Sequence, residues 1–211
     1  VITFAIGANY SLQEVQEAQL AGMNLDSIQG QAINRAMAEF EDKLIFTGNA
    51  DSNIEGLANL SAAQEFSFGK AIKGDDPKNI LEELKEGREK ITQLTGYENT
   101  TPVLALPAAQ YDALDVPYND YQPTTLIQLL QARGWFSSIQ KINELSGLGT
   151  KSTDIGLIFD NAAETMQILD AQAPTRQQTE YRNMTYTIPY TEQCGGIIVR
   201  QQQAVVHLTG I

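Results

Sequence analysis

Apolar residues recur at helical spacing between residues 11 and 46, and no proline interrupts this stretch. The spacing predicts a short helix near residues 12–21 and a main helix near residues 26–46, with Asp26 or Ser27 as its N-cap. A helix of about twenty residues spans about 30 Å, so the main helix is long enough to act as a strut. Gly48 is placed to end it in the left-handed conformation. The predicted inner stripe consists of Leu25, Ile28, Ala32, Ala36, Phe40 and Leu44, widened by Ile33, Met37 and Ile45.

The middle of the chain alternates between helical and strand-like patterns. Asp75, Asp76 and Pro77 are typical of a helix start and predict a second helix that runs to about residue 94. Short apolar runs then predict strands at 101–107, 135–142 and 156–159, separated by helices at 108–114 and 124–133. The segments 118–123 and 146–152 are predicted to be loops. This alternation favours an α/β lobe.

The last fifty residues are mostly strand-like. Met184, Tyr186, Ile188 and Tyr190 alternate with threonine and proline, and apolar runs follow at 197–200 and 204–208. Antiparallel strands joined by short turns explain this pattern best. Residues 49–57 are rich in turn-forming residues, and residues 59–74 are predicted to be irregular. Taken together, the elements predict an α+β fold.

The charge balance narrows the class of function. The chain has 211 residues, with 26 acidic and 14 basic side chains and a formal net charge of −12. A uniformly acidic surface repels phosphate backbones and anionic lipids, which argues against nucleic-acid binding as the main activity and against attachment to a membrane. No run approaches the roughly 20 apolar residues of a membrane-spanning helix. Two interpretations stay open: a solvated acidic surface, or the acidic inner wall of a container for DNA.

Cysteine and histidine chemistry is sparse. Cys194 is the one cysteine and His207 the one histidine, so an intramolecular disulfide and the usual zinc spacings are excluded. Cys194 lies beside a strand-like run, where a small buried side chain is the favoured role. A catalytic pair of Cys194 and His207 is disfavoured, because the two residues lie in separate predicted strands.

Motifs for other enzyme classes are also missing from the sequence. Gly69-Lys70 lacks the rest of a phosphate-binding loop, and the glycines at 147 and 149 precede a predicted strand where a dinucleotide turn requires a helix. A small α/β hydrolase with dispersed carboxylates stays open as an alternative, because such partners need not be close in sequence. Its candidate acids would be Glu39, Glu41, Asp42, Asp75, Asp76, Glu82 and Glu83. We assign no catalytic, cofactor-binding or metal-binding residue and predict that the chain is not an enzyme.

Several short sequence motifs occur along the chain in the same order as in one known family. Residues 31–49 (QAINRAMAEFEDKLIFTGN) are an alanine- and glutamate-rich helix that ends in a glycine turn, and residues 54–57 (IEGL) follow. Further phrases lie at 102–111 (PVLALPAAQY), 186–190 (YTIPY) and 195–200 (GGIIVR). The series resembles the major capsid proteins of tailed phages and the encapsulins, which share the Hong Kong 97-type fold.

The resemblance implies a structural subunit that self-assembles into the icosahedral head shell of a tailed phage or prophage. An encapsulin-like bacterial compartment shell is the main alternative. The fold implied is α+β, with a long spine helix, an elongated peripheral domain and an axial α/β lobe. Residues 1–76 with the spine helix would belong to the peripheral domain, residues 77–160 to the axial lobe, and residues 161–211 to closing strands that return largely to the peripheral domain.

The same resemblance implies pentamers and hexamers of one subunit, with scaffold and portal proteins as possible partners and DNA enclosed without sequence-specific contacts. The location implied is the virion capsid, assembled in the bacterial cytoplasm. The family's N-terminal arm and extended hairpin precede the spine helix, whereas only residues 1–10 precede the first helix here, so both are expected to be absent or very short. Residues proposed for contacts between subunits are Tyr118, Tyr121, Gly147, Gly149, Lys151, Arg176, Arg182 and Arg200.

Overall fold

The computed structural model describes residues 1–22, 25–119, 121–149 and 152–211, and the side chains of residues 25–28 and 122 lie outside this description. The helices are α1 (Leu12–Ala21), α2 (Leu25–Thr47), α3 (Pro77–Thr92), α4 (Ala108–Ala113) and α5 (Leu126–Arg133). The strands of the first half are β1 (Ile2–Ser11), β2 (Gln64–Ser67), β3 (Val103–Leu106), β4 (Pro117–Asn119) and β5 (Gln122–Thr125). Those of the second half are β6 (Ser138–Lys141), β7 (Gly156–Phe159), β8 (Met166–Arg176), β9 (Glu180–Arg182), β10 (Thr185–Val199) and β11 (Val205–Thr209). The α+β class is therefore confirmed.

One sheet, which we call the elongated sheet, is antiparallel with the order β1-β10-β8, and β9 also pairs with β10. Its central strand β10 pairs with β1 from Ile2↔Cys194 to Ser11↔Thr185. The other side of β10 pairs with β8, with register shifts near residues 191–197. Helix α2 packs on this sheet through Ile33 and Met37, which form a small core with Ala8, Tyr10 and Ile188.

The second sheet has the order β2-β11-β7-β3-β6 and mixes parallel with antiparallel pairs. Both of its faces are buried at the three inner strands β11, β7 and β3, because successive side chains of these strands enter different cores. Leu104, Ile158 and Leu208 face a core that includes Leu84 and Ile91 of α3. Ala105, Leu157 and Val205 face a second core, which includes Ile45 at the end of α2. Helix α2 therefore packs against both sheets and links them.

The predicted helices are confirmed, and local sequence explains their ends. Ser11 and Glu14 form a capping box at the start of α1, and Asp76 accepts a hydrogen bond from the Asn79 amide at the start of α3. Gly48 follows α2 with φ of +67°. The N-cap prediction was wrong: α2 already begins at Leu25, so Asp26 and Ser27 lie inside its first turn.

The predicted inner stripe of α2 is confirmed for Leu44 and for the residues predicted to widen it, and it was wrong for Ala32, Ala36 and Phe40. Ala32, Ala36 and Phe40 are exposed, whereas Ile33, Met37, Leu44 and Ile45 are buried. The side chains of Leu25 and Ile28 lie outside the described part. The larger side chains fill the space above β10 and β1, since an alanine methyl group buries little apolar area there. Phe40 instead packs at the margin against Phe4, with ring centroids 4.4 Å apart.

The segment after α2 is a tight turn in which backbones approach closely. The Asn49 amide donates to the Ile54 carbonyl at 2.8 Å and the Ile54 amide returns a bond at 2.9 Å. A Cβ on Gly56 would collide with backbone atoms of Phe46, Thr47 and Gly48. Glycine is required at position 56 because no side chain fits there. The turn-rich interpretation of residues 49–57 is confirmed.

Several strands appear where the sequence predicted loops or nothing regular. β1 occupies residues that were not assigned, β2 lies in the stretch predicted to be irregular, and β4 and β5 form a hairpin across the predicted loop 118–123. β2, β4 and β5 are only three or four residues long, so their pairing partners decide their conformation more than their own sequence does. Strands β3 and β7 are confirmed and fully buried. Among the described helices, none is long and apolar enough to cross a membrane.

Candidate assembly surfaces

Cys194 and His207 have separate structural partners. The Cys194 thiol is buried in β10, its Sγ lies 3.9 Å from Glu41 Oε1, and it accepts a bond from the Gly196 amide at 3.3 Å. Burial raises the pKa of this thiol, with smaller contributions from nearby carboxylates, so the thiol is neutral and a poor nucleophile. The His207 ring lies in β11 with Nε2 2.8 Å from the Leu57 carbonyl oxygen. Cys194 and His207 therefore contact different residues, and the contacts found for them do not form a nucleophile–base pair.

The acidic residues considered for a hydrolase are distributed along α2 and around α3. Glu39 pairs with Arg35, Asp76 caps α3, and Glu83 accepts a bond from the Gly69 amide at 3.0 Å. Within the described part of the chain, no group of His, Cys, Asp and Glu is arranged to hold a metal ion. Glu41 and Asp42 are close to other acids, and their surroundings are described below.

The elongated sheet carries exposed large apolar side chains near both of its ends. β9 is exposed along its whole length, and β8 is mostly exposed beyond Met166. Met184, in the turn before β10, is 64% exposed. The other exposed large apolar residues of this sheet are Ile168, Leu169, Tyr181 and Ile198. Ile168, Leu169 and Ile198 lie near the start of β8 and the end of β10, whereas Tyr181 and Met184 lie at the opposite end of the sheet, so the residues form two separate groups.

The three arginines predicted at subunit contacts have different surroundings. Arg176 and Arg182 are exposed, at the end of β8 and in β9. Arg200 donates to the Ala163 carbonyl at 2.9 Å and to Gln167 Oε1 at 2.8 Å, so its guanidinium is bound within the chain. Arg200 therefore ties the end of β10 to the start of β8.

The β4–β5 hairpin presents its two tyrosines differently. Tyr118 is half-buried and packs against the core beneath α3, whereas Tyr121 is 95% exposed. The hairpin is joined to the start of α5 by a bond from the Leu126 amide to the Val116 carbonyl at 3.0 Å. Of the two predicted contact residues, Tyr121 is thus the one available to a partner.

Asp154 holds the loop around residues 146–153. Its Oδ1 accepts a bond from the Gly147 amide at 2.9 Å, and its Oδ2 accepts one from Gln110 Nε2 in α4, also at 2.9 Å. The Gly149 amide donates to the Thr153 carbonyl at 2.7 Å. Lys151 lies outside the described residues. The loop that contains Gly147 and Gly149 therefore has a base anchored to α4.

A cavity of about 650 Å³ lies where the end of α2 meets both sheets. Ile45, Phe46, Phe159 and Ile197 line it, together with the carboxylate of Asp42. Burial and the nearby Glu144 carboxylate raise the pKa of Asp42. The cavity is therefore lined by apolar side chains together with the carboxylates of Asp42 and Glu144.

The sequence reasoning missed a buried carboxylate, Glu192, that lies near the half-buried Glu41 and the exposed Asp170. Glu192 in β10 is 2% exposed, and Asp170 of β8 lies opposite Cys194 in the sheet register. Burial raises the pKa of Glu192, and so do the charges of Glu41 and Asp170. The sequence of β10 could have predicted that Glu192 is buried. Glu192 lies an even number of residues from the buried Ile188 and Cys194, so its side chain points to the same face of the strand.

Comparison with known proteins gives a consistent result over the whole chain. A family model described as "Major capsid protein" matches residues 1–211. No curated protein sequence matches the chain.

Solved structures of low sequence identity share the fold. The capsid of Myoviridae phage XM1 is similar with a TM-score of 0.79 at 16% identity, over 100% of this chain and 73% of that one. A virus-like particle from Pyrococcus furiosus is similar with a TM-score of 0.67 at 14% identity, over 99% of this chain and 76% of that one. A structure of Mycobacterium phage Che8 is similar with a TM-score of 0.62 at 12% identity, over 99% of this chain and 71% of that one. The predicted Hong Kong 97-type fold is confirmed.

Proposed function

Because the chain belongs to the major capsid protein family, we propose that it builds the icosahedral head shell of a tailed phage or prophage from pentamers and hexamers of one subunit. A structural role in a capsid shell follows from the family itself. The observation that carries the finer proposal is the family match over residues 1–211, together with the fold it shares with the capsid of phage XM1. Catalysis has no part in this role.

In this proposal the subunit has two regions that occupy different places in the shell. The elongated sheet with α2 forms the peripheral domain, and the five-stranded sheet with α3, α4 and α5 forms the axial lobe. The predicted division was 1–76, 77–160 and 161–211. β2 and β11 pair inside the five-stranded sheet, which supports counting these two strands with the axial lobe.

Contacts between subunits are proposed at the exposed ends of both regions. In the axial lobe the candidates are Tyr121 and the loop with Gly147, Gly149 and Lys151, while Tyr118 supports the hairpin from inside. At the periphery the candidates are Arg176 and Arg182, and the exposed Tyr181 and Met184 lie near Arg182 in sequence and in the β9–β10 pairing. Different surfaces that meet in this way form heterologous contacts, which close into rings and then shells.

The charge of the chain fits an enclosed genome. With a net charge of −12, an acidic inner wall would hold DNA without binding it tightly. In this proposal the shell assembles in the bacterial cytoplasm, with scaffold and portal proteins as partners, and ends as the virion capsid. No membrane is involved in the proposed assembly.

A compartment shell of the encapsulin type is the second candidate. The likeness to the virus-like particle from Pyrococcus furiosus favours it, at a TM-score of 0.67. The two candidates differ in what they enclose. Particles purified from the native host would contain nuclease-protected DNA in the phage case and one dominant cargo protein in the compartment case.

Light scattering coupled to size-exclusion chromatography of the complete gene product tests assembly itself. We expect a uniform species of many subunits. Co-expression with the gene products of the same cluster serves as the comparison, because a scaffold-dependent subunit assembles only there. A product that stays monomeric under both conditions would contradict the proposed function.

A further inference from the structure

Three carboxylates and one thiol come together where α2 lies against the elongated sheet. Glu41 projects from α2, Asp170 from β8, and Glu192 with Cys194 from the central strand β10. The Cys194 Sγ lies 3.9 Å from Glu41 Oε1, and Asp170 is the cross-strand neighbour of Cys194. Glu192 and Cys194 are buried, at 2% and 0% exposed. Glu41 is half-buried and Asp170 is exposed, so the group runs from the interior of the joint between helix and sheet to its surface.

One oxygen of the cluster has no hydrogen-bond donor. Glu192 Oε2 is buried and receives no bond from the part of the chain that the structure describes. An ionised carboxylate in this position loses its water and gains no donor in return, which costs several kcal/mol. A protonated carboxyl avoids this cost and can donate its hydrogen to a neighbouring carboxylate.

The charged groups that act on the cluster all have the same sign. The negative charges of Glu41 on α2 and Asp170 on β8 repel a charge on Glu192. The charges of Asp170 and of Asp42, its neighbour in the helix, repel a charge on Glu41. β1, on the other side of β10, presents Ile2 and Phe4 opposite Cys194 and Glu192. Full ionisation would therefore place like charges on the two elements that must stay in contact.

We propose that Glu192 of β10 and Glu41 of α2 form a proton-sensitive latch between the helix and the elongated sheet: while protonated they hold the helix on the sheet, and their deprotonation beside the charge of Asp170 pushes the two apart. The latch is a property of the single subunit and does not depend on shell assembly. It acts on the helix that packs against both sheets, so a change there alters how the two regions of the subunit are joined.

The direction of the pH dependence follows from the folded-state pKa values. Burial raises the pKa of Glu192, as do the charges of Glu41 and Asp170, and burial with Asp170 and Asp42 raises the pKa of Glu41. A group with a raised pKa in the folded state stabilises the fold fully below its ordinary pKa of about 4.3. This stabilisation is lost as the pH rises through the raised folded pKa.

Hydrogen exchange at α2 in the complete gene product tests the latch without any substitution. After correction for the intrinsic exchange rate, we expect amides of residues 30–44 to lose protection between pH 5 and pH 8. The amides of α3, which lacks such a cluster, serve as the internal control and should keep theirs. Unchanged protection of α2 across this range would overturn the proposal.

A substitution then identifies the responsible group. Glu192→Gln keeps the shape and supplies a permanent neutral donor, so its unfolding equilibrium constant at pH 8 should fall relative to wild type. The fall is roughly tenfold for each unit by which the folded pKa exceeds the ordinary one. The difference should shrink as the pH falls and be smallest below the ordinary pKa of about 4.3. Glu180→Gln, in the exposed strand β9, should follow the wild-type profile. Parallel profiles of wild type and Glu192→Gln at every pH would overturn the assignment to Glu192.

Discussion

Thr165 donates its hydroxyl hydrogen to Asp160 Oδ2 across 2.6 Å, and both side chains are buried. Because that hydrogen is used, the Tyr97 hydroxyl is the donor in its own 3.1 Å contact with Thr165 Oγ1. The Arg200 amide donates to the Thr165 carbonyl at 2.8 Å. Asp160 directly follows β7 and Thr165 directly precedes β8. This buried network therefore joins the five-stranded sheet to the elongated one.

Replacing Thr165 with valine should weaken this joint. The shape is nearly preserved, but Asp160 loses a buried donor and Tyr97 loses its acceptor, so we expect the free energy of unfolding to fall by about 2–3 kcal/mol. Urea denaturation measures this. Thr175→Val, at an exposed position of β8, the strand that Thr165 precedes, should change stability by no more than about 0.5 kcal/mol. Equal effects of the two substitutions would contradict a structural role for the network.

The corrected inner face of α2 can be checked by truncation. Met37 is fully buried between helix and sheet, so Met37→Ala should cost about 2–5 kcal/mol of unfolding free energy. Ala36→Ser, on the face first predicted to be inside, should cost no more than about 0.5 kcal/mol. Thermal and chemical denaturation report both values. A large loss at Ala36 with a small one at Met37 would restore the original stripe.

Two glycines near α2 should respond oppositely to alanine. Gly56→Ala places a Cβ against backbone atoms of Phe46 and Thr47, and we expect a loss of about 2 kcal/mol or more. At Gly30, inside α2, the nearest atom to a new Cβ is Tyr190 Oη at 3.8 Å. Gly30→Ala should therefore stabilise the protein by about 0.5–1 kcal/mol through helix propensity. Denaturation midpoints of the two variants should move in opposite directions from wild type.

Asp154 should control the shape of the axial loop more than the stability of the fold. Asp154→Ala removes the acceptor for the Gly147 amide and for Gln110, so the loop should exchange its amide hydrogens faster and assembly yield should fall. Gln110→Ala removes only the contact to α4 and should have a smaller effect on the loop. Hydrogen exchange and particle yield measure the two consequences. Normal yield from a loosened loop would show that the loop lies outside the subunit contacts.

Elements with local signals were predictable from the sequence. Asp76 and Pro77 mark the start of α3, and the apolar runs of β3 and β7 match strands buried on both faces. β1 also carried a signal that was not used, because Ile2, Phe4, Ile6, Ala8 and Tyr10 alternate with smaller or polar residues. β2 and β9 could not be found in this way, since three or four residues acquire strand structure only through their partners.

Contacts between distant parts of the chain were beyond sequence reasoning. Tyr97 and Thr165 are 68 positions apart, and nothing near either residue indicates the other. The bond from Arg200 to Gln167 Oε1 joins residues 33 positions apart and could not be read from the sequence, while a subunit contact of Arg200 stays a prediction. Residues that meet another subunit depend on a surface of the partner, so Tyr121 and Arg182 stay predictions at the level of exposure and chemistry.

Electron cryomicroscopy of particles formed by the complete gene product tests the central claim most directly. We predict a closed icosahedral shell in which the loop at residues 146–153 and the β4–β5 hairpin surround the fivefold and sixfold axes, with the elongated sheet at the periphery of each capsomer. A product that forms no closed shell, even with its co-expressed partners, would contradict the account. A closed shell with the elongated sheet at those axes would contradict the assignment of the two regions.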